Sequence, residues 1–243
     1  MISSSRFRNP TARCFVFFGL CAMSFPLTAQ QQLDGTSIIR GVDAAVQARI
    51  DNVSSYSDTE HYAVFRSHDE NHPAAEMTVK TVYRKGQGKN FTVLSETGSA
   101  FVRKEILGTV LDNEKRLSQP GNVETALINS QNYDMKLDST GPQQIDGRDC
   151  LIIFLTPRRN SPYLFKGKLW VDAKDYSIVQ LQGTASKSPM FLTGAAEVSR
   201  QYSKVNGFPM ATHAKAVSNS GLLGQTIVKI DYKEYQVDLQ AAN

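Results

Sequence analysis

The chain has 243 residues, a formal net charge of +4, 41% apolar and 21% charged residues, and 3 Cys. That length holds one domain or two small ones, and the apolar fraction is enough to build a core. A mean hydropathy of −0.32 excludes a polytopic membrane protein, and the recurrence of Val, Ile, Leu and Phe along the chain excludes disorder throughout.

Residues 1–29 read as a secretory signal peptide. Arg6, Arg8 and Arg13 give a basic start without an acid, Cys14 to Met23 is an apolar run, and Pro26-Leu27-Thr28-Ala29 precede polar Gln30-Gln31-Gln32. The run is about half the roughly twenty residues a spanning helix needs, so cleavage near Ala29 is expected rather than an uncleaved anchor. Cys21 follows the bulky Leu20, a poor context for lipid attachment. Without residues 1–29 the chain carries 24 Lys+Arg against 23 Asp+Glu, a net of +1. The basicity therefore belongs largely to the leader, and no concentrated basic surface speaks for nucleic acid. Cys150 is then the single thiol, unable to form an intramolecular disulfide. Before Leu-Ile-Ile-Phe-Leu it reads as a small core residue rather than a reactive one.

Residues 34–52 read as a helix, with Ile39, Val42, Val46 and Ile50 on one face and Asp34 or Thr36 as cap. Ser54-Ser55-Tyr56-Ser57-Asp58 reads as its end. Strands are expected over 60–68, 75–85 (Met77, Val79, Thr81 and Tyr83 on one face) and 90–96, with Phe91 and Val93 together. Gly86-Gln87-Gly88 is a turn, lacking the strand-to-helix setting of a phosphate cradle. A helix over 99–118 places Val102, Ile106, Val110 and Leu111 on one face before Pro120-Gly121 stops it, and a shorter helix is expected over 122–130. Beyond it the pattern is all strand: 132–138, then 143–145 and 148–156 across Asp146-Gly147, then 163–172 and 176–184. Residues 194–205 and 208–218 pair across Asn206-Gly207, and 223–237 closes the run.

About ten strands in consecutive hairpins, without crossover helices, predict an α+β, β-dominated fold: a curled antiparallel sheet covered by two or three helices. Such a sheet encloses volume, which is either filled core or an apolar pocket, and mid-chain helices are placed to act as a lid. Residues 30–243 are expected to form that single domain.

The order helix, strands, helical insert and meander resembles the periplasmic lipoprotein-carrier superfamily: LolA and LolB carriers, RseB-type sensors and outer membrane lipoprotein-sorting proteins. The residues carrying the likeness are Gly147-Arg148-Asp149-Cys150, Thr156-Pro157-Arg158, Leu164 to Asp172 (L-F-K-G-K-L-W-V-D) and Ile178 to Gly183. By element order it spans residues 35–237. The resemblance implies an unclosed half-barrel with a helical lid, a periplasmic home, and a lipid or lipoprotein acyl chain as ligand. RseB-type relatives would add an envelope protein partner, gripped by the sheet edge or helix face. A poor lipid-attachment Cys argues against the LolB type.

No catalytic residue, metal site or cofactor is expected. His68-Asp69-Glu70-Asn71-His72 has two His four apart, but Asn71-His72-Pro73 reads as loop and the order is not His-Glu-x-x-His. No G-x-S-x-G elbow is present. Trp170 is a core anchor or a rim residue, and Arg158-Arg159 a solvated loop or a lipid-phosphate contact. The residues expected to line the pocket and lid are Phe91, Val93, Val102, Ile106, Val110, Leu169, Val171, Val179 and Leu181. A one-residue slip of strand parity would exchange them with neighbours.

Overall fold

The protein is described from a computed structural model, which covers residues 34–66, 69–187, 196–220 and 224–241. The expected signal peptide, Cys14, Cys21 and His68 lie outside the described residues.

Helix α1 (Gly35–Asn52) begins where Asp34 accepts hydrogen bonds from the backbone N–H of Thr36 and Ser37. This satisfies donors that the first helical turn leaves free. Its inward stripe is anchored by Ile38 and Val42. The chain passes directly into β1 (Val53–Arg66), so Ser54 to Asp58 is strand rather than helix end. Those polar residues look like a turn because the strand buries polar groups: Asp58 and Glu60 share the inward parity of Tyr56, Tyr62 and Val64.

Strands β2 (Ala75–Arg84) and β3 (Gly88–Gly98) extend the sheet, and Ala75, Met77, Val79 and Thr81 share its buried face. A continuous helix follows: α2 (Ala100–Val102), a π-helical stretch (Arg103–Gly108) and α3 (Thr109–Leu117). The wider π-turn lets adjacent Ile106 and Leu107 both be buried. The short helix expected over 122–130 is a single 3-10 turn, Val123–Ala126. The remaining strands are β4 (Tyr133–Leu137), β5 (Gln143–Ile145), β6 (Arg148–Pro157), β7 (Phe165–Asp172), β8 (Ile178–Ala185), β9 (Ala196–Val205), β10 (Phe208–Ser220) and β11 (Gly224–Leu239). Asp146-Gly147 and Asn206-Gly207 have positive φ at both residues, as two-residue hairpins require.

The described residues form one eleven-stranded sheet, β3-β2-β1-β11-β10-β9-β8-β7-β6-β4, with β5 on β6 and every pairing antiparallel. The last strand lies beside the first, in register Val64↔Val228. Strands β3 and β4 remain separate edges, so the sheet is an unclosed half-barrel, as expected. Its inner face holds two packed clusters. One lies under the composite helix, where Val102, Ile106, Leu107 and Val110 meet Tyr62, Met77, Val79 and Ile230. The other lies under α1, where Ile38 and Val42 meet Leu151, Ile153, Leu155, Leu169 and Val171.

Candidate ligand cavity

Between those clusters the floor of β8–β11 is not filled. Cross-strand register explains why. One inward row runs Leu155, Gly167, Gly183, Val198, Ala216, Val228. The next runs Leu169, Leu181, Arg200, Ala214, Ile230. A Cβ on Gly167 would stand 2.1 Å from the Gln182 carbonyl oxygen, so β7 and β8 approach closely only because both partners are glycine. Small residues thus occupy the centre of a sheet whose flanks carry Leu, Ile and Val.

Two adjoining cavities result. The larger, about 270 Å³, has Leu181, Val198, Ala214, Ala216, Val228 and Ile230 as floor and Val110, Leu117, Ile128, Pro162, Tyr163 and Phe165 around it. The other, about 250 Å³, lies against α1 (Val46, Arg49, Ile50) and is more polar, with Tyr56, Lys89, Tyr202, Tyr232 and Tyr235 on its walls. Glu114, Ala126, Ile128, Arg200 and Tyr202 line both.

The wall between α1 and α3 is firmly tied. Asp43 of α1 accepts from Ser130 N at 2.8 Å and from Ser130 Oγ at 2.5 Å. Asn132 Nδ2 donates to the carbonyls of Glu124 and Leu127, each at 2.8 Å. Arg159 donates to Asn132 Oδ1 at 2.7 Å and to the Thr125 carbonyl at 2.6 Å, and Arg158 pairs with Asp134 at 2.7 Å. The two arginines therefore brace the 123–130 segment, a role their sequence setting does not reveal. At the edge of the apolar cavity Arg116 donates to the Tyr163 hydroxyl and, at 2.6 Å, to Asn113.

Beneath the polar cavity lies a charge network. Lys89 Nζ is 2.5 Å from Glu114 Oε2 and 3.4 Å from Glu60 Oε1, and the Tyr62 hydroxyl donates to Glu60. Burial opposes charge on Glu114, yet Lys89 and Arg200 outweigh it and hold the carboxyl below the ordinary carboxylate range. The same contest ends with Lys89 well above the ordinary amine value, since Glu114 and Glu60 overcome its burial. Asp58 fares differently. Burial first, and the Glu60 charge second, push it up to about 7, and neither carboxylate oxygen has a well-formed hydrogen bond. Facing it across the strand pair, Thr81 Oγ1 is also buried without a partner.

Of the nine residues expected to line a pocket, Val110 and Leu181 reach the apolar cavity. Val102 and Ile106 are packed beneath the composite helix with Phe91 against the same cluster. Leu169 and Val171 belong to the cluster under α1. Val93 is inward by register with Val79, but β3 is an edge strand and leaves it 50% exposed. Val179 packs on the other face with Cys150, Ile152 and Trp170. A β-bulge causes this: Trp170 pairs with Gln180 but Val171 with Ile178, so the extra residue turns outward. Trp170 is a core anchor on that face, its Nε1 donating to Gln143 Oε1 at 3.1 Å. Burial raises the Cys150 thiol above its usual value. His72 is exposed and contacts Asp69 at 3.0 Å. Among the described residues no cluster of three His, Cys, Asp or Glu is arranged to hold a metal, and no helix is long and apolar enough to cross a membrane.

Sequence reasoning missed Arg200, Tyr202, Ala214, Ala216 and Tyr232. The signal that could have found the floor is the alternation of small residues, Ala214 and Ala216, along β10.

No known protein family's sequence pattern matches the chain, and no curated protein does. Solved structures are similar in fold. The LolA superfamily protein from Nitrosomonas europaea is 12% identical with a TM-score of 0.43, covering 86% of this chain and 94% of its own. A putative outer membrane lipoprotein-sorting protein domain from Vibrio parahaemolyticus is 10% identical with a TM-score of 0.47, over 84% and 92%. The MucA/MucB complex of Pseudomonas aeruginosa provides a third likeness, at 10% identity and a TM-score of 0.31, over 85% and 100%.

Proposed function

We propose that the protein is an exported, non-enzymatic carrier that holds an acyl chain, lipoprotein lipid or other apolar ligand in its half-barrel, in lipoprotein or lipid trafficking across the periplasm. The observation that carries this reading is the floor of the apolar cavity. A sheet that needed only a core would place large residues at 183, 214 and 216, as it does at 153, 155 and 169. Each methylene buried there contributes about 0.8 kcal/mol, so an aliphatic chain would supply what the side chains withhold. Val110 and Leu181 are assigned to the ligand wall, with Val198, Ala214, Ala216 and Ile230 beside them.

The test is native mass spectrometry of the protein from its own envelope, beside Ala216→Leu. The parent should carry a lipid or lipopeptide. The variant should lose it while melting no lower, because added methyl groups fill existing space. A parent that carries nothing, or a variant that carries as much, would remove the carrier reading.

A second reading has its own observation. The edge strand β3 and the start of the composite helix expose Val93, Leu94 and Phe101, the last at 70%, as an open strand edge for a protein partner does. An envelope interaction or sensor protein would use it. One stoichiometric protein retained by the parent and lost in Leu94→Lys, with no lipid, would favour this reading.

A further inference from the structure

We propose that the ligand is an acidic amphiphile, its anionic group held by Arg200 and Arg49 in the polar cavity while its aliphatic chain lies in the apolar one; this rests on the carrier reading above.

Arg200 stands on the inner face of β9, in register with Leu181 on one side and Ala214 on the other. It is the charged member of an otherwise apolar row and lines both cavities. Among the described residues no carboxylate lies within 4.0 Å of its guanidinium or of Arg49's. Glu114, the carboxylate that acts on Arg200 at longer range, is committed to Lys89 at 2.5 Å. Arg200 has the Tyr202 side chain as its hydrogen-bond support, and Arg49 gives Nε to the Pro209 carbonyl at 3.0 Å. Neither guanidinium is in a close ion pair, and both line one cavity, with Glu114 turned to Lys89. Partial burial of a cation is unfavourable unless an anion and further hydrogen bonds complete it, and the planar guanidinium fork matches carboxylate and phosphate oxygens. Tyr232 and Tyr56, which line the same cavity, add neutral polar side chains to its wall. Since Arg200 borders the apolar cavity too, an anion bound to it places the attached chain at that cavity's entrance.

The shared ligand chemistry is a carboxylate or phosphate on a long aliphatic chain. Displacement of a neutral fluorescent naphthylamine from the whole mature protein is measured with hexadecanoic acid, 1-palmitoyl-lysophosphatidate and hexadecanol, each below its aggregation concentration. The parent should favour at least one acid over the alcohol by about tenfold or more, the equivalent of one charge-assisted contact, and the better acid identifies carboxylate or phosphate. Arg200→Gln should bring the preference within about twofold, and Arg200→Lys should restore part of it. A parent that binds acid and alcohol equally overturns this inference and leaves the carrier reading standing. So does an Arg200→Gln protein that keeps the full preference. Failure of all three compounds to displace the probe from the parent overturns both. Should Arg200→Gln not fold, Arg49→Gln reads the same preference from the other side of the cavity, and an unchanged preference there refutes the two-arginine site.

Discussion

The two halves of the inner face solve the same problem in opposite ways. Under the first half of α1, strands β6 and β7 present Leu151, Ile153, Leu155, Leu169 and Val171, which pack against Ile38 and Val42. Across β8–β11 Gly183, Ala214 and Ala216 and the charged Arg200 interrupt the inward apolar rows, and the sheet leaves two cavities. The same curvature therefore yields a core or a site according to side-chain volume alone. The difference also locates risk: the filled half depends on packing, whereas the hollow half depends on keeping buried charges balanced.

The largest expected effect tests that balance. Lys89 is the cation between Glu60, fully buried, and Glu114. Lys89→Met would leave two carboxylates without it and should lower stability by about 4 kcal/mol at pH 8, the scale for breaking a buried pair. Acid should return part of the loss, because Glu114 loses the cation that holds its carboxyl low and can then be neutralised. Urea unfolding at pH 5 and pH 8 measures this, and a loss equal at both would mean Lys89 acts by packing.

Truncation comes next and contrasts the halves directly. Ile153 is fully buried under α1, and Ile153→Ala should cost about 3 kcal/mol through lost transfer and a new void. Val198 already borders the apolar cavity, so Val198→Ala enlarges an existing space and should cost about 1 kcal/mol. Equal losses in denaturant titration would show that the hollow half is as tightly packed as the other.

Much of this division is legible in the sequence, but only where local chemistry fixes it. Asp146-Gly147 and Asn206-Gly207 mark their hairpins because both positions need positive φ. The face of the composite helix follows from three- and four-residue spacing, and that of α1 does so from Val42 onward, although Ile38 rather than Ile39 is its buried anchor. The β1–β11 pairing leaves no local trace, since Val64 and Val228 meet only in the folded sheet. Val179 was misplaced by a bulge that simple alternation does not encode. Arg200 escaped notice because β9 (A-E-V-S-R-Q-Y-S-K-V) is mostly polar on both faces, and parity is unreadable where neither face is apolar. The candidate site was thus hidden for the same physical reason that makes it a site.

The effect at Asp58 is the most specific, since it varies with pH. Asp58 sits in the hollow half with its carboxyl pushed up to about 7, against an ordinary value of 3.8. Below pH 4 the group is protonated folded or unfolded and brings no penalty. As pH rises towards 7 the unfolded chain releases this proton first, so the native state loses stability through that window and bears the full penalty above it. A shift of about three units has a ceiling of about 4 kcal/mol, and relaxation around Glu60, Lys89, Tyr56 and Tyr235 brings the expected effect to roughly 2 kcal/mol. Asp58→Asn should therefore gain on the parent steadily from pH 4 to pH 8. Opposing contributions, such as the lowered Glu114, are common to both proteins and largely cancel in the difference. Parallel stability curves for the two proteins would mean that Asp58 is solvated in the folded state, and that the polar cavity admits water as far as the β1 strand.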